Sequence, residues 1–371
     1  MKESLLLTPG PTNVPKRILE ATALPMIHHR TKEFQVVLER VFGSLRKLFC
    51  TKHPVLVFAS SGTGAMEGAL TNLFSSGDTI LSFTAGKWGE RWRDIALANR
   101  LDVKHFEVPY GEAFTAQHVS DALRKNPGAK GVLMTLCETS TAVLHPVKQI
   151  AEITQKSGAL LLVDAISGLA CDVLKTDEWG VDVVVCGSQK GLMLPPGLAF
   201  VCLNERAQAM LAKSTLPKYY FNFSDTIKAI AKNDTPFTPA VSLIRGLDVA
   251  LEMLLEEGIE NVWRRHADVA AWVRHEISSL GLSLFSKAPT NGLTAIVMPE
   301  NIPSKNVLNP MRESHAVVMA DGQGELVGKI VRFAHMGYAC TKKDAKTGFD
   351  AFVDAMTKNG FKPAKLSPTK V

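Results

Sequence analysis

Short apolar runs alternate with amphipathic stretches along much of the chain. The runs with the length of strands cover residues 55–59, 79–83, 103–108, 131–137, 159–163, 181–186 and 198–203. Helical spacing of apolar residues lies between several of them, at 66–74, 88–92, 117–125 and 147–156. Strands that alternate with crossover helices are typical of a mostly parallel sheet covered by helices. The pattern therefore predicts a large α/β domain.

The pattern changes near residue 255. Two long helical stretches, at 246–257 and 260–280, come first. Short strands at 294–298 and 329–333 follow, and then a last helix at 345–356. Few strands among long helices are typical of an α+β unit. We therefore predict that a smaller α+β domain, residues 256–371, follows the large domain.

The composition agrees with a globular protein that is long enough for two hydrophobic cores. The chain has 371 residues, of which 46% are hydrophobic and 21% charged. These values exclude most disordered and fibrous classes. All apolar runs are far shorter than the roughly 20 residues that a membrane-spanning helix needs.

The cysteines and the chain ends predict a cytoplasmic protein. The six cysteines lie far apart, form no C-x-x-C pair and mostly occur in apolar runs, as reduced and buried thiols do. The first residues do not have the shape of a signal peptide, and residues 367–371 are not a peroxisomal S-K-L signal.

The net charge of +6 does not favour nucleic-acid binding. Only residues 358–370 are visibly lysine-rich, and no aromatic residues interleave with a basic stripe. The basic groups can instead gather at a pocket for an anionic small molecule. The adjacent His28 and His29 lack the spacing of metal ligands on a helix, so no metal site is expected.

A glycine-rich turn joins the strand 55–59 to the helical stretch that follows it. Its sequence, SSGTG at residues 60–64, places free backbone N–H groups at a helix N-terminus, which favours a phosphate. The turn is equally compatible with a structural role, because tight turns use glycine. Gly68 comes one residue too late for a dinucleotide fingerprint, and no P-loop lysine follows. A nicotinamide-dependent oxidoreductase is therefore disfavoured.

Two charged residues follow neighbouring apolar runs. Asp164 ends the run 159–163, at the strand edge where ligands bind in open parallel sheets, although a helix cap or turn would also use an aspartate. Lys190 lies in the apolar sequence GSQKGLMLPPG, where desolvation would make its amine a nucleophile toward a carbonyl. A phosphate cradle, an acid and such a lysine together are what pyridoxal phosphate requires.

Nine motifs that carry these residues resemble the class V, fold-type I aminotransferases that depend on pyridoxal phosphate, with the alanine/serine–glyoxylate (or pyruvate) group as the nearest. They are TPGPTNVP (8–15), HHRTKEF (28–34), SSGTGAMEGAL (60–70), AGKWGER (85–91), ETSTAVLHPV (138–147), VDAISGL (163–169), GSQKGLMLPPGL (187–198), TPFTPAVSL (235–243) and VRFAHMGY (331–338). The resemblance implies a mostly parallel seven-stranded sheet in the large domain. It also implies a ping-pong Schiff-base transamination between a small amino acid and a 2-oxo acid.

The resemblance implies a role for each matching residue around the cofactor. Lys190 would bond to the cofactor aldehyde and then carry protons, and Asp164 would pair with the protonated ring nitrogen. Trp88 would stack on the ring, although a tryptophan there is otherwise most often core packing. Ser140, and with less support Thr139, would contact the phenolic oxygen side. The residues that would hold the phosphate are Ser61, Gly62, Thr63 and Gln189.

The resemblance also implies a substrate site and a homodimer. Arg332 would pair with the substrate α-carboxylate through two parallel hydrogen bonds, which lysine cannot form. Gly10 and Pro11 would line the substrate pocket as part of an N-terminal segment, residues 1–20, which leaves 21–255 for the large domain. Thr238 of the partner subunit would complete the phosphate site.

Two related enzymes remain as alternatives. A cysteine desulfurase has the same fold and cofactor, but its nucleophilic cysteine precedes the carboxylate-binding arginine, whereas Cys340 follows Arg332. A 2-aminoethylphosphonate–pyruvate transaminase begins with a similar TPGP motif and stays open. Three positions depart from the family pattern without touching a proposed chemical group, namely Ala85, Ala142 and Ala334.

Overall fold

The computed structural model describes residues 4–364, so the end of the lysine-rich tail and the segment 367–371 lie outside the described residues. The helices are α1 (Lys16–Thr22), α2 (Lys32–Leu48), α3 (Gly62–Leu73), α4 (Lys87–Ala98), α5 (Ala116–Lys125), α6 (Val147–Ser157), α7 (Thr176–Trp179), α8 (Glu205–Gln208), α9 (Phe223–Ile230), α10 (Val241–Glu257), α11 (Ile259–Ser279), α12 (Ser304–His315) and α13 (Lys342–Lys358). The strands are β1 (Leu5–Leu6), β2 (Val55–Ala59), β3 (Thr79–Thr84), β4 (Asp102–Glu107), β5 (Gly131–Thr135), β6 (Cys137–Glu138), β7 (Val143–Leu144), β8 (Leu160–Asp164), β9 (Val183–Gly187), β10 (Leu198–Leu203), β11 (Leu293–Val297), β12 (Val317–Val318), β13 (Ala320–Asp321) and β14 (Ile330–Ala334).

The central sheet contains seven strands in the order β2-β10-β9-β8-β5-β3-β4. Strand β10 runs antiparallel to both of its neighbours, β2 and β9, and the other pairs in the sheet are parallel. The predicted mostly parallel seven-stranded sheet is therefore confirmed. Because the parallel strands share one direction, their carboxyl ends meet at one edge of the sheet.

Burial explains why these runs form the inner strands. Every residue of β5, β8 and β9 is buried, and their side chains are mainly Val and Leu, which suit a strand covered on both faces. The helices between them end at specific signals: α6, for example, ends where Gly158 takes φ +79°. The sheet core is thus built from local patterns that the sequence displays.

A second sheet lies in the C-terminal part of the chain. Its three strands are antiparallel, in the order β11-β14-β13, and a short parallel pair joins β1 to β12 with Leu5 opposite Val317. One hydrophobic cluster of buried residues extends from Ile18 to Val262, and another combines Leu7 with residues of the C-terminal part from Val269 onward. The N-terminal segment therefore packs against the C-terminal sheet.

The elements match the predicted pattern closely, with informative differences. The strands predicted at 55–59 and 198–203 have those bounds. The strand predicted at 131–137 ends at Thr135, because the next residues turn into the short hairpin of β6 and β7. Helix α2 was not predicted, although Thr31 caps its first turn and its apolar residues have helical spacing. Within residues 4–364, no helix is both long and apolar enough to cross a membrane.

Candidate active site

One cavity of about 580 Å³ opens at the carboxyl edge of the central sheet. Strands β2, β3, β8 and β9 all end near it, and the loops that follow them supply much of its wall. The side chains and backbone that line it come from Leu6, Thr8, Pro9, Gly10, Pro11, Ser61, Gly62, Thr63, Trp88, Arg91, Cys137, Asp164, Ile166, Ser167, Gln189, Lys190, Ala320, Gln323 and Arg332. The structure thus brings together all the predicted site residues except Thr139, Ser140 and Thr238.

Lys190 lies deep in this cavity, just beyond the end of β9. Its side chain is 7% exposed, its Nζ donates to the carbonyl of Pro9, and the ammonium lies 5.9 Å from the centre of the Trp88 ring. Burial lowers the pKa of this amine from 10.5 to about 8. About a tenth of the amine is therefore neutral and nucleophilic at pH 7, far more than for an ordinary lysine.

The backbone of Gly10 packs directly against the stem of Lys190. Gly10 takes φ +91°, and a Cβ built there would lie 2.5 Å from Cδ of Lys190. Only glycine combines that left-handed backbone with such a close approach. This explains why the TPGP motif carries glycine at the position next to the lysine.

Asp164 is the last residue of β8 and is buried in the wall of the cavity. One of its oxygens, Oδ1, accepts the backbone N–H of Ile166 at 2.8 Å. Burial raises the pKa of this carboxyl from 3.8 to about 7, against the opposing effect of that hydrogen bond. A cation placed beside Asp164 would restore the charged carboxylate.

The N-terminus of α3 forms an anion cradle at the same edge. Ser61 is the residue before the helix, and its side chain does not cap it. The first N–H groups of the helix, which lie beside the cavity, therefore have no side-chain cap. Gly62 is required there, since a Cβ would lie 2.4 Å from Cδ1 of Ile166. Gln189 also lines the cavity, and its buried side-chain oxygen has no hydrogen-bond partner among the described residues.

Trp88 and Arg91 occupy the first turn of α4 and form another wall. The guanidinium of Arg91 lies 4.4 Å from the centre of the Trp88 ring, and its Nη1 donates to Oγ1 of Thr63 at 3.1 Å. The stacked pair presents a broad aromatic face and a positive charge next to the anion cradle. Trp88 therefore lines the cavity and does not serve only to pack the hydrophobic core.

Arg332 reaches the cavity from the middle of β14. Its Nε donates to the carbonyl of Asp321 at 2.7 Å and its Nη1 donates to the carbonyl of Thr139 at 3.2 Å. Both partners are neutral backbone carbonyls. The other N–H groups of the guanidinium can therefore donate hydrogen bonds to an anion. The side chain is 6% exposed, which strengthens its pairing with a carboxylate.

Three predicted residues do not line the cavity. Thr139 is fully buried, and its carbonyl accepts a hydrogen bond from Arg332. Ser140 is fully buried, and its hydroxyl donates to Oε1 of Glu138 at 2.5 Å while accepting the N–H of Lys87 at 3.0 Å. The hydroxyl of Ser140 is therefore engaged with these two groups, and its predicted contact with a cofactor oxygen stays a prediction. Thr238 lies beside Met26 at a different surface pocket, and its predicted contribution across a subunit interface stays a prediction.

Some residues of the site were not singled out from the sequence. Arg91 follows Trp88 by three positions, so helical spacing on α4 was a usable signal for it. Cys137 and Gln323 line the cavity without any sequence signal that marks them. Among residues 4–364, no group of three or more His, Cys, Asp or Glu could hold a metal ion.

The side chains present fit pyridoxal phosphate. The cavity offers a helix N-terminus and the side-chain amide of Gln189 for a phosphate, a partly neutral lysine for an aldehyde, and a buried acid for a ring nitrogen. The glycines Gly10 and Gly62 leave room where a Cβ would collide. The ring of Trp88 also lines this cavity, where a flat aromatic ring could stack on it.

Comparison with known proteins agrees with this geometry. The chain is 36% identical to a soluble hydrogenase small subunit from a Synechococcus species, over 91% of this chain and 88% of that protein. It is 34% identical to an L-aspartate–glyoxylate aminotransferase from Paracoccus denitrificans, over 97% and 90% of the two chains. The crystal structure of an alanine–glyoxylate aminotransferase from Nostoc sp. superposes with a TM-score of 0.92, at 28% identity, and covers 96% of each chain.

The family model described as aminotransferase class V matches residues 5–344, nearly the whole chain. The predicted fold type and enzyme class are therefore confirmed. The protein is a transaminase with the fold-type I architecture, and the chain belongs to the class V aminotransferase family.

Proposed function

We propose that the protein uses pyridoxal phosphate to move an amino group from a small amino acid, alanine or serine, to glyoxylate or pyruvate by a ping-pong mechanism. The observation that carries the proposal is the meeting of Lys190, Asp164 and Arg332 in one cavity. The fold family to which the chain belongs depends on this cofactor. When bound, the cofactor supplies an aldehyde for the amine and a ring that accepts electrons.

The residues of this chain would divide the work as follows. Lys190 would hold the aldehyde carbon and, once the substrate amine replaces it, would take a proton from the substrate Cα and deliver it to the former aldehyde carbon, because its pKa of about 8 suits both steps. Asp164 would hold the proton of the ring nitrogen in place. Trp88 would cover one face of the ring and exclude water. The position of each of these side chains in the cavity wall supports its proposed role.

The anion sites would set the orientation of cofactor and substrate. The N-terminus of α3 with Thr63 and Gln189 would hold the phosphate, and Arg332 would hold the α-carboxylate of the substrate. Arg332 is fixed by two backbone carbonyls, so it need not be reordered when a carboxylate binds. The phosphate site and Arg332 lie at different walls of one cavity. This arrangement is consistent with a substrate bound between them.

We also propose a homodimer in which Thr238 of the partner subunit completes the phosphate site. Apolar side chains near Thr238 are exposed, including Met26 at 69% and Tyr219 at 82%. Tyr219 stands 5.7 Å from Phe237, ring centre to ring centre, so these residues form one surface with Thr238. A second copy of the chain would bury this surface. Replacing Met26 by Asp should shift the protein toward monomer in sedimentation, and an unchanged sedimentation coefficient would argue against this surface.

The alternatives receive less support from the geometry. Cys340 is buried, follows Arg332 in the chain and does not line the cavity, which disfavours a cysteine desulfurase. Cys137 does line it, but burial holds the pKa of its thiol well above the ordinary value, so little thiolate is present. A 2-aminoethylphosphonate donor stays open, because the cavity residues do not distinguish a phosphonate from a carboxylate.

The proposal is tested by reconstitution with pyridoxal phosphate and borohydride reduction. The protein should gain visible absorbance, and mass spectrometry of peptides should find the reduced cofactor on Lys190. A protein that stays colourless after reconstitution refutes the proposal. For the donor, single-turnover bleaching should be compared among alanine, serine, aspartate and 2-aminoethylphosphonate. Bleaching by 2-aminoethylphosphonate alone would replace the proposed substrate class.

We further propose that the chain divides into the N-terminal segment 1–20, a large domain to about residue 255 and a smaller C-terminal domain. The two hydrophobic clusters support the division, and α11 contributes Val262 to one and Val269 to the other. A cytoplasmic location is proposed as well, because all six cysteines are unpaired and five of them are buried.

A further inference from the structure

Glu138 is a buried carboxylate behind the cavity wall. It lies at the end of β6, is fully buried and does not line the cavity. No ion pair to a Lys or Arg side chain within 4 Å is found for it among the described residues. A buried charge without a cation is costly unless hydrogen bonds replace the lost water. The hydrogen-bond donors around Glu138 therefore indicate what this carboxylate does in the fold.

All of its recorded partners belong to the turns that build the site. Oε2 accepts the backbone N–H of Trp88 at 3.0 Å and that of Gly89 at 3.1 Å. Oε1 accepts the N–H of Ser140 at 3.1 Å and its hydroxyl at 2.5 Å. Four donors thus surround one carboxylate, and two of them are the first N–H groups of α4. Those groups have no partner inside their own helix.

Helix α4 has no cap from its own sequence. The residue before it, Gly86, has no side chain, and a Cβ built there would lie 2.6 Å from Cδ of Glu138. Glu138 thus occupies the space beneath this glycine and caps the helix from another strand. A negative charge at a helix N-terminus is favourable because of the helix dipole. The cap fixes the first turn of α4, which carries Trp88 into the cavity.

The same turn of the chain also touches the substrate side of the cavity. The residue after Glu138, Thr139, offers its carbonyl to Nη1 of Arg332 at 3.2 Å. Further along, Oγ1 of Thr141 donates to the carbonyl of Ala85, just before α4. Residues 138–141 are therefore tied to the aromatic wall and to the carboxylate-binding arginine at once.

We infer that Glu138 is a positioning residue, which fixes the indole of Trp88 for the bound cofactor by capping α4 from behind the cavity. The inference rests on the proposed function, since it concerns the ring that Trp88 would cover. A structural role alone would lower the stability of the fold without changing how the cofactor is held. The two roles therefore predict different results for cofactor binding.

The test compares Glu138→Ala and Glu138→Gln with Asp182→Asn as a matched control. Asp182 is also a buried carboxylate that accepts a backbone N–H, that of Leu161, but it precedes β9 at the opposite edge of the sheet. For each protein, the dissociation constant of pyridoxal phosphate is measured by visible absorbance. Circular dichroism in the same band reports how firmly the ring is oriented, and urea unfolding reports stability.

We expect Glu138→Ala to bind pyridoxal phosphate about tenfold more weakly, as losses of supporting hydrogen bonds around a site typically do. Its cofactor circular dichroism should fall as well. Glu138→Gln keeps one oxygen for the N–H groups of α4 and loses one hydrogen bond to Ser140, so a loss of about threefold is expected. Asp182→Asn should lose stability but bind the cofactor as the wild type does.

Four outcomes are decisive. Wild-type binding and circular dichroism in Glu138→Ala would overturn the inference, and so would equal losses of affinity in Asp182→Asn. If Glu138→Ala does not fold, Glu138→Gln decides, and unchanged affinity and circular dichroism in that variant overturn the inference. Failure of the wild-type protein itself to bind pyridoxal phosphate would instead refute the proposed function.

Discussion

The most direct quantitative prediction concerns Asp164 in the protein stripped of cofactor. Burial raises the pKa of this carboxyl from 3.8 to about 7. Its protonated form is therefore favoured by the folded state, and its charged form is penalised there. Replacement by Asn keeps the shape and can keep the hydrogen bond to Ile166 N–H, but it removes the charge. Asp164→Asn should thus relieve the penalty without opening a cavity.

The size and sign of the effect follow from linkage. A pKa that is higher in the folded than in the unfolded state contributes stability that is present below the unfolded value of 3.8 and is lost as the pH rises to about 7. At about 1.4 kcal/mol for each unit, the ionised carboxylate costs the folded apoprotein about 4 kcal/mol above pH 7. Between pH 5 and pH 8, the advantage of Asp164→Asn over wild type should grow by about 3 kcal/mol.

The assay is urea unfolding of both apoproteins at pH 5 and pH 8, with the free energy of unfolding obtained by linear extrapolation. Pyridoxal phosphate should then narrow this difference at pH 8. A protonated ring nitrogen beside Asp164 restores the charged carboxylate, and a hundredfold excess over the dissociation constant adds about 2.7 kcal/mol to the wild type. Asp164→Asn lacks that charge and should gain much less.

Asp172→Asn serves as the control. Asp172 is a buried carboxyl outside the cavity wall, and burial raises its pKa to about 6. Its pH dependence should therefore end about one unit lower, and its affinity for pyridoxal phosphate should match the wild type. If the apoproteins of wild type and Asp164→Asn lose stability in parallel from pH 5 to pH 8, the burial argument for Asp164 is wrong.

Three further predictions concern the lysine, the arginine and one glycine of the site. The rate at which Lys190 of the apoprotein bonds to pyridoxal phosphate should rise with pH and level off above about pH 8, because the neutral amine attacks; a rate that is flat from pH 6 to pH 9 would contradict the lowered pKa. Arg332→Lys should raise KM for the amino acid about tenfold or more through loss of the two-point pairing, whereas an unchanged KM would place the carboxylate elsewhere. Gly10→Ala should abolish bonding of cofactor to Lys190, since its Cβ would overlap the lysine stem at φ +91°. The matched variant Gly43→Ala, in α2 where no atom lies within 4 Å of the new Cβ, should keep full activity and gain about 0.5–1 kcal/mol of stability.

Local patterns in the sequence were sufficient for most of the fold. The strand bounds 55–59 and 198–203 are those of β2 and β10, because short apolar runs flanked by turn residues indicate a buried strand without reference to distant residues. The signals for α2 were equally present, in Thr31 and in the helical spacing of its apolar residues.

The backbone at Ala142 illustrates a feature that the pattern alone left unexplained. The family often has glycine at this position, and Ala142 indeed takes φ +59° in the turn between β6 and β7. A non-glycine residue in this left-handed region costs roughly 1–2 kcal/mol. Alanine in place of glycine therefore lowers the local stability of this turn. It does not change the cavity, because Ala142 does not line it.

The sequence by itself determined the candidate residues of the site and the edge of the sheet where most of them lie. Asp164 and Lys190 follow parallel strands, and parallel strands end together. Only the tertiary structure decided what each group does. Arg332 reaches the cavity from another sheet, Ser140 gives its hydroxyl to Glu138, and the pKa values of Asp164 and Lys190 move toward neutrality. These outcomes depend on burial and on partners that are distant in sequence, and no local pattern encodes them.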